Sequence, residues 1–206
     1  MTNNRKEDII MATLELAAEK GLGNVSTSMI ANKVGIKKPS LYNHFSSKDE
    51  IVEEMYQYLR EKAKSWSNIG AVDYGALFSG KKAFDLLWMV VNNYKKVNQD
   101  EHMNMFYRVI YSERTRNPMA AKITAEETER MIITTKQLFY ALQVHEVLHF
   151  QNPDMSAVTF AMTVHGLMDY EMDLQADGEE KGDHLMQEYL KWFCEENVAT
   201  QELGGK

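Results

Sequence analysis

The chain of 206 residues has a single cysteine, three prolines and no long apolar run. Cys194 cannot form an internal disulfide, which excludes a disulfide-stabilised secreted domain and favours a reducing compartment such as the cytoplasm. The longest apolar run, Leu86 to Val91, is far too short to span a bilayer. The polar and charged residues near the N-terminus also do not resemble a signal peptide. We therefore expect a cytoplasmic protein with no membrane association.

The scarcity of helix-breaking residues points to a helical protein. Eleven glycines and three prolines are scattered between long segments of helical periodicity. Hydrophobic residues make up 44% and charged residues 26% of the chain, as in a globular protein. The length suffices for a small domain together with a core of ordinary size. We predict an all-α fold, and we expect no cofactor.

Residues 24–48, which read NVSTSMIANKVGIKKPSLYNHFSSK, contain two short segments of helical periodicity. Ser26 or Thr27 can cap the first segment by accepting a hydrogen bond from a free backbone N–H. Gly35 can adopt the left-handed conformation that ends a helix. Pro39 suits the first turn of the second helix, because that turn does not need its missing donor. Two short helices joined in this way form a helix-turn-helix, which places one helix in a DNA major groove.

Lysines dominate this stretch, although the whole chain has a net charge of −7. DNA binding requires a basic patch rather than a basic protein. The same charges would also suit the solvated face of an ordinary helical hairpin, so charge alone does not decide between the two interpretations. No Asp or Glu occurs between residues 20 and 48, where the five cations are Lys20, Lys33, Lys37, Lys38 and Lys48.

Residues 5–60 resemble the DNA-binding domain of TetR-family transcriptional regulators. The most specific part is the pattern LYxHFxSKxE, which residues 41–50 match as LYNHFSSKDE. Met29 departs from the acidic residue that the family often has three positions after the helix-2 cap, and residues 37–39 replace its common Ser-x-Gly. The resemblance implies an N-terminal three-helix helix-turn-helix domain followed by a C-terminal helical domain for ligand binding and dimerisation.

The resemblance also implies which residues contact double-stranded DNA. The residues expected at base edges or nearby phosphates are Lys37, Lys38, Ser40 and Asn43. The residues expected mostly at the DNA backbone are Thr27, Ser28, Tyr42, His44 and Lys48. Tyr42 also suits the core, and His44 also suits a helix-terminal cation. The predicted DNA-binding residues are Ser26, Thr27, Ser28, Lys37, Lys38, Pro39, Ser40, Tyr42, Asn43, His44 and Lys48.

Charge separates the DNA-binding part from the rest of the chain. Residues 1–64 hold 10 Lys and Arg against 9 Asp and Glu, a net charge of +1, whereas residues 65–206 hold 13 against 21, a net charge of −8. DNA repels the acidic part, so we expect it to serve another purpose. We predict a helix-turn-helix domain at residues 1–47, a connecting helix at 48–64, which a capping box opens, and a ligand-binding and dimerisation domain at 65–206.

Methionine and aromatic residues recur in the helices expected between residues 82 and 150. Such stripes usually belong to a core, yet these side chains also line adaptable apolar pockets. The TetR resemblance favours a pocket for a small-molecule effector. The predicted ligand-binding residues are Trp88, Met105, Tyr107, Tyr111, Phe139, His145 and His165.

Residues 145–149 read HEVLH, which matches the HExxH motif of zinc hydrolases. On a helix the two histidines of this motif bind Zn²⁺ and the glutamate activates water. Glu171 is a possible third ligand. However, three fixed positions arise by chance on helices, and core or pocket-edge histidines are the favoured interpretation. We expect no metal and no catalytic residue, and a zinc-dependent hydrolase remains the alternative function.

Two amphipathic helices are predicted at residues 155–175 and 185–197, the second capped by Asp183. Packing of both helices inside one chain is one interpretation. The TetR resemblance favours a four-helix bundle formed with a second copy across a two-fold axis. The predicted interface residues are Val158, Met162, Met186, Tyr189, Leu190 and Phe193.

Together these features predict a homodimeric repressor that binds a palindromic operator and is released by a small molecule. Two rigidly spaced helix-turn-helix copies can read half-sites about one helical turn apart. A DNA-binding protein without any ligand is a further possibility, alongside the hydrolase.

Overall fold

The structure, a computed structural model, describes residues 2–67, 74–178 and 184–198. Within these ranges the chain forms no strand, only an isolated antiparallel bridge between Leu148 and Val198. The predicted all-α fold is therefore confirmed. The helices are α1 (Thr2–Lys20), a short 3₁₀ helix (Leu22–Asn24), α2 (Thr27–Val34), α3 (Lys38–Leu41), α4 (Lys48–Ser67), α5 (Tyr74–Phe78), α6 (Ala83–Gln99), α7 (Glu101–Glu113), α8 (Pro118–Val144), α9 (Pro153–Ala176) and α10 (His184–Glu196).

The helices predicted at residues 155–175 and 185–197 are present as α9 and α10, with bounds that agree to within about two residues. Helix α8 ends at Val144, inside the region 82–150 for which the sequence predicts helices. Residues 68–73, and Asp183, which the sequence predicts to cap α10, lie outside the described residues. No described helix is both long and apolar enough to cross a membrane.

The chain divides into two compact units. The first comprises residues 1–69 and 96–127, and the second comprises residues 70–95 and 128–206. In the first unit α1 packs against α2, α4 and α7. The predicted functional boundaries after residues 47 and 64 stay a prediction.

The first unit buries one continuous apolar core beneath the helix-turn-helix. Leu14 of α1 and Ile30 of α2 are fully buried, as is Leu41 of α3. Phe45, four residues after Leu41, is 1% exposed. Because residues four apart share one face of a helical turn, these two side chains fix which face of residues 37–45 points outward.

The second unit is built around a cluster of phenylalanine rings. Phe139 stacks on Phe150 with ring centroids 4.4 Å apart and an interplanar angle of 5°. Phe160 and Phe193 lie 5.2 Å and 5.6 Å from the same ring. Through Phe160 and Phe193, α9 and α10 both contribute to this core. Such ring pairs stabilise a core beyond the area that they bury.

Candidate nucleic-acid interface

Helix α2 begins and ends as its sequence predicts. The Ser26 side chain accepts a hydrogen bond from the Met29 backbone N–H at 3.3 Å, so Ser26 rather than Thr27 is the cap. Gly35 has a φ of 73°, in the left-handed region, and its backbone N–H bonds to the last carbonyls of the helix. Both the cap and the helix stop are confirmed.

Residues 37–45, called the recognition segment below, form one turn of α-helix and then tighten. Asn43 N–H donates to the Ser40 carbonyl at 3.3 Å, and His44 N–H donates to the Leu41 carbonyl at 3.0 Å. These bonds span three residues rather than four, as at many helix ends. The second predicted helix of the motif therefore ends as a regular α-helix at Leu41. Tyr, Asn and His are weak helix formers, which agrees with the early end of α3.

The outer face of the recognition segment carries most of the predicted DNA contacts. Leu41 and Phe45 point into the core, so the intervening polar side chains face outward. Ser40 and His44 are half-buried at the edge. The exposed members are Lys37, Lys38, Pro39, Tyr42 and Asn43.

Hydroxyl groups connect the start of α2 to the recognition segment. The Tyr42 hydroxyl lies 3.4 Å from the Thr27 side-chain oxygen. Tyr42 is nevertheless 45% exposed, and both Ser26 and Ser28 are exposed beside it. Tyr42 thus packs across the motif and still presents its hydroxyl edge to the surface. Such side-chain hydroxyls commonly contact DNA phosphates.

Only part of the lysine cluster remains unpaired. Lys20 forms an ion pair with Glu19 at 2.7 Å, and Lys33 forms one with Glu15 at 2.6 Å. The Glu19 pKa is lowered chiefly by its hydrogen bond from Lys20. Among the described residues, Lys37 and Lys38 have no ion-pair partner. The positive charge is therefore concentrated at the start of the recognition segment.

Lys48 is half-buried and stabilises the helix-turn-helix through a hydrogen bond to the backbone. Its Nζ donates a hydrogen bond to the Leu22 carbonyl at 2.9 Å, which ties the start of α4 to the 3₁₀ helix preceding α2. An ammonium group has three donors, so two remain for another partner. Lys48 thus has a structural role that its sequence position does not reveal.

The turn after the recognition segment is held by carboxylate and hydroxyl caps. The Ser47 side chain accepts a hydrogen bond from the Glu50 N–H at 3.1 Å. The Glu50 carboxylate accepts bonds from the Ser46 N–H and hydroxyl, both at 2.5 Å. These bonds lower the Glu50 pKa below the ordinary range of a glutamate carboxyl. The predicted capping box is present, with its return bond made to Ser46 instead of Ser47.

Lys6 is a cation that sequence reasoning missed. It is exposed on α1, and its Nζ lies 5.1 Å from the centre of the Phe45 ring, at the end of the recognition segment. Its charge also contributes to the low Glu50 pKa. No sequence signal predicts this placement, because it depends on how α1 packs against α3.

The predicted ligand-binding residues fall in both units. Tyr107 and Tyr111 stack with ring centroids 6.4 Å apart in the first unit, which also contains Met105. Trp88 stacks on Phe84 at 6.3 Å in the second unit. The other three candidates also lie in the second unit: Phe139 in the aromatic core, His145 with its ring 5.4 Å from Phe78, and His165 with its Nε2 3.8 Å from the Asp169 carboxylate.

Two open clefts lie within the first unit. One, of about 600 Å³, is bordered by α1, α2 and α7, and Met105 is the only predicted ligand residue among its described lining residues. The other, of about 420 Å³, is bordered by α4 and the start of α8. Tyr56 lines the second cleft, and burial raises its pKa to about 12, with a smaller effect of Glu113. Neither cleft gathers the predicted ligand residues, so the effector site stays a prediction.

The HExxH motif does not form the zinc-binding geometry. Helix α8 ends at Val144, and Glu146 has a φ of 55°, so the two histidines do not lie on consecutive turns of one helix. Glu171, the possible third ligand, forms an ion pair with Lys95 at 2.6 Å. No group of three metal-ligating side chains occurs within the described ranges. The hydrolase alternative therefore lacks the helix that its chemistry requires.

Three of the predicted dimer-interface residues are covered by their own chain. Met186 and Leu190 are fully buried and Phe193 is 5% exposed. These three side chains therefore belong to the core of the chain rather than to the predicted interface. Sequence periodicity identified an apolar face of α10, but it could not distinguish a face that packs on α9 from one that meets a partner. Val158 and Tyr189 are half-buried, and Met162 is 47% exposed.

A second apolar face of α9 and α10 remains exposed. Its large side chains are each about half exposed. On α9 these large side chains recur at helical spacing, and a glycine lies on the same face of the helix. We call this set the exposed apolar face: Met155, Met162, Gly166 and Tyr170 of α9, with Leu185 and Trp192 of α10.

Comparisons with known proteins agree with the helix-turn-helix. Residues 9–55 match the family model "Bacterial regulatory proteins, tetR family". The nucleoid occlusion factor SlmA of Vibrio cholerae is 33% identical over 66 residues, or 32% of this chain and 34% of that protein. The HTH-type transcriptional repressor KstR2 of Mycobacterium tuberculosis is 38% identical over 53 residues, or 26% of each chain. The matches thus span about a third or less of the length of these relatives.

Solved structures match nearly the whole chain at low identity. A putative transcriptional regulator from Saccharomonospora viridis, in complex with choline, has a TM-score of 0.69 and 20% identity, covering 97% of this chain and all of that one. A TetR transcription regulator from Haloarcula marismortui has a TM-score of 0.69 and 13% identity, covering 95% and 99%. At these identities the likeness concerns the fold.

Proposed function

We propose that this chain is a TetR-family transcriptional regulator that acts as a homodimeric repressor, binds a palindromic operator and dissociates when a small molecule binds. The match of residues 9–55 to the family model supports the assignment to the family, and the similar solved structures support the fold. The dimer, the operator symmetry and the effector are parts of the proposal. We further propose that it works in the cytoplasm, where its operator would be accessible.

The outward face of the recognition segment carries the proposal of sequence-specific binding. Lys37 and Lys38 are exposed and without ion-pair partners among the described residues, and exposed Asn43 lies on the same short segment. Lysine reads guanine edges or phosphates, and an asparagine amide can pair with adenine in the major groove. Leu41 and Phe45 anchor the segment in the core, so these polar groups are held in a fixed register.

Operator selection from a random DNA library tests this assignment. We expect enrichment of an inverted repeat with half-sites about one helical turn apart. Lys38→Ala should weaken binding to the enriched site, by about 1–3 kcal/mol if the lysine reads a base. Lys81→Ala, which removes an exposed lysine from the second unit, is the matched control. Failure to enrich any sequence would contradict the proposal.

The exposed apolar face of α9 and α10 supports the proposed homodimer. Its five large apolar side chains are each about half exposed, so this patch leaves on the order of 500 Å² of apolar side chain in contact with water. Burial of this patch against a second copy is favourable in proportion to the apolar area removed from water. Two copies would then supply the two recognition segments that a palindrome requires.

Release from DNA is proposed to follow from a change in spacing between the two recognition segments. A ligand shifts such an equilibrium only by its difference in affinity for the two conformations, and a nearly complete switch requires about 5.5 kcal/mol. The family resemblance supports an effector. The described clefts do not identify its site, so the test must search for the ligand directly.

A thermal-shift screen addresses the effector. A compound that binds only the folded protein stabilises it by about 2.7 kcal/mol at a hundredfold excess over its Kd. Choline belongs in the first set of compounds, because the structurally similar regulator from Saccharomonospora viridis was solved with choline. A compound that raises the melting temperature should also release the operator in a gel-shift assay. If the compounds that stabilise the protein leave operator binding unchanged, the effector part of the proposal fails.

A further inference from the structure

The hydroxyl group of Tyr56 is buried on α4 and has no hydrogen-bond partner among the described residues. The whole side chain is 0% exposed, and its ring lies 6.4 Å from the Phe106 ring of α7 in the core of the first unit. Burial of a hydroxyl is unfavourable when its hydrogen bonds to water are not replaced. Most buried polar groups therefore have a partner, and an exception requires an explanation.

The unpaired hydroxyl belongs to the open cleft of about 420 Å³ between α4 and the start of α8. Tyr56 lines this cleft, and burial together with a smaller effect of the Glu113 carboxylate raises its pKa. Because Glu113 ends α7, the hydroxyl end of the ring faces the turn that leads from α7 into α8. Asn117, Pro118 and Met119 from this turn border the same cleft. A molecule bound there would reach the Tyr56 hydroxyl.

Carboxylates make the cleft negative. Asp49 and Glu53 lie on α4 four residues apart, so they share one face of the helix. Both are exposed, and neither has an ion-pair partner among the described residues. Lys122 is the only cation among the described lining residues, and the Glu113 carboxylate adds a further negative charge nearby. The local charge therefore favours a cationic ligand.

Arg60 does not offset this negative charge. It lies one helical turn beyond Tyr56 and forms an ion pair with Glu126, which lies one turn beyond Lys122 on α8. These two side chains neutralise each other just past the lining residues. The carboxylates of the cleft are therefore left for another cation.

Part of the lining is apolar. Val52, one turn before Tyr56, is 6% exposed, and Met119 is half-buried on the α8 side. A hard metal ion uses oxygen ligands and gains nothing from such contacts. In the part of the chain that the structure describes, no three His, Cys, Asp or Glu side chains are placed to hold a metal ion. The volume of the cleft is within the range of small-molecule sites, so the lining suits an organic cation.

We propose that the cleft between α4 and α8 binds a small organic cation, a primary ammonium group attached to an apolar body. Glu53 and Tyr56 lie three residues apart and are neighbours on the helix surface. The ammonium donates hydrogen bonds to the Glu53 carboxylate and to the Tyr56 hydroxyl oxygen, which thereby gains its partner. Asp49 adds attraction from the preceding turn, and the apolar body contacts Val52 and Met119.

This site is additional to the proposed function. The cleft lies in the unit that carries the helix-turn-helix, and none of the residues predicted to bind the effector lines it. Binding of the cation depends neither on that effector nor on the operator. Failure of one proposal therefore leaves the other intact, and separate measurements distinguish them.

Titration of the full-length protein with three compounds of similar shape tests the ligand class. Phenethylammonium is the cation, phenethyl alcohol is its neutral analogue and hydrocinnamate is the anion. We expect calorimetry to show saturable binding of the cation, roughly tenfold or more tighter than that of either analogue. Equal binding of the three compounds, or no saturable binding at millimolar concentrations, would overturn the proposal. Displacement of the amine by equimolar Mg²⁺ would overturn the assignment to an organic cation.

Tyr56→Phe removes only the unpaired hydroxyl. We expect it to weaken phenethylammonium binding roughly tenfold, whereas the free energy of unfolding should not fall, because the hydroxyl makes no hydrogen bond in the free protein. Tyr58→Phe is the matched control, since the hydroxyl of this second tyrosine of α4 already donates to Glu7. Its affinity for the amine should equal that of the wild type. Unchanged affinity in Tyr56→Phe would contradict the proposed contact.

Glu53→Gln tests the charge of the site and should also weaken binding roughly tenfold. Glu54→Gln removes the same charge from the next residue, which does not line the cleft, and should have little effect. Equal weakening by both variants would indicate general attraction to an acidic protein, and the specific site would be refuted.

Isotopically labelled methionine methyl groups locate the bound cation. The Met119 resonance should shift during the titration, because its side chain lines the cleft. The resonance of Met186, which is buried in the second unit, should stay in place. A shift of Met186 without one of Met119 would place the ligand elsewhere and overturn the proposal.

Discussion

At the scale of single residues, the lysines near the helix-turn-helix divide into three roles. Lys20 and Lys33 are paired with carboxylates of α1, Lys48 donates to a backbone carbonyl, and Lys37 and Lys38 are the two proposed to contact DNA. Lys20 pairs with its own neighbour, Glu19. The partners of Lys33 and Lys48 belong to other helices, so the roles of these two lysines depend on tertiary packing and could not be predicted from the sequence.

Replacement of Lys48 by alanine tests its two functions separately. We expect weaker binding to all DNA sequences and a salt dependence flatter by about one unit of slope if the ammonium also contacts a phosphate. Loss of its bond to the Leu22 carbonyl should lower the free energy of unfolding by roughly 1 kcal/mol. Binding titrations across salt concentrations and denaturant unfolding measure the two effects. Lys20→Ala, which removes a lysine already paired with Glu19, serves as the comparison. An unchanged slope would remove Lys48 from the phosphate contacts.

Asn43→Ala should change which operator is preferred. The side chain is exposed on the recognition segment, and a bidentate amide contact discriminates among bases by about 1–3 kcal/mol. We expect the preference at one position of each half-site to relax, as measured by binding to a panel of single-base operator variants. Uniform weakening across the panel would instead assign Asn43 to positioning.

At the scale of elements, caps and periodicity predicted most helices correctly. Ser26, Gly35 and Ser47 act as local signals, and their hydrogen bonds appear where the sequence placed them. Two helix ends were not predicted. Helix α3 ends early where weak helix formers follow, and α8 ends at Val144, just before Glu146 with its left-handed φ. Hydrophobic periodicity identifies a buried face and does not encode either end.

The Glu50 carboxylate at the start of α4 makes the stability of the fold depend on pH. Hydrogen bonds from Ser46 hold the Glu50 pKa below 4.5 in the folded chain. The ionised carboxylate therefore stabilises the fold above that pH, and the contribution is lost as the pH falls through the lowered pKa. We expect Glu50→Gln to melt below the wild type at pH 7, with the difference disappearing as the pH falls through the lowered pKa of Glu50. Melting temperatures across this range measure the effect, and Glu53→Gln is the control on the same helix. A difference that stays constant with pH would contradict the role assigned to Glu50.

At the scale of the whole molecule, two adjacent aromatic residues of α10 lie in different environments. Trp192 is on the exposed apolar face that is proposed to form the dimer, whereas Phe193 is packed in the phenylalanine core of the second unit. The sequence identified α10 as amphipathic but assigned Phe193, not Trp192, to the interface. Periodicity defines a face, and only the packing partner reveals what that face meets.

Substitution of each residue should therefore have a distinct effect. Trp192→Ala should weaken dimerisation by about 2 kcal/mol or more, roughly thirtyfold in Kd, as expected for a large aromatic side chain buried in an interface. Phe193→Ala should instead lower the free energy of unfolding by about 3–5 kcal/mol. Analytical ultracentrifugation and denaturant unfolding distinguish the outcomes. Tyr140→Ala, which removes another half-exposed aromatic side chain on α8, should leave dimerisation unchanged. Equal dimerisation by Trp192→Ala and the wild type would remove Trp192 from the interface.

The pairing of Lys20 and Lys33 with carboxylates has a consequence for how the protein would search a chromosome. A dimer would present about four unpaired lysines from its two recognition segments, and its log–log salt slope from these charges would be roughly four. Random genomic sequence would then retain the protein only briefly at cellular ionic strength. Occupancy of the operator would then depend on contacts between the recognition segments and the operator bases. Most copies of the protein would stay free and able to bind the few correct sites.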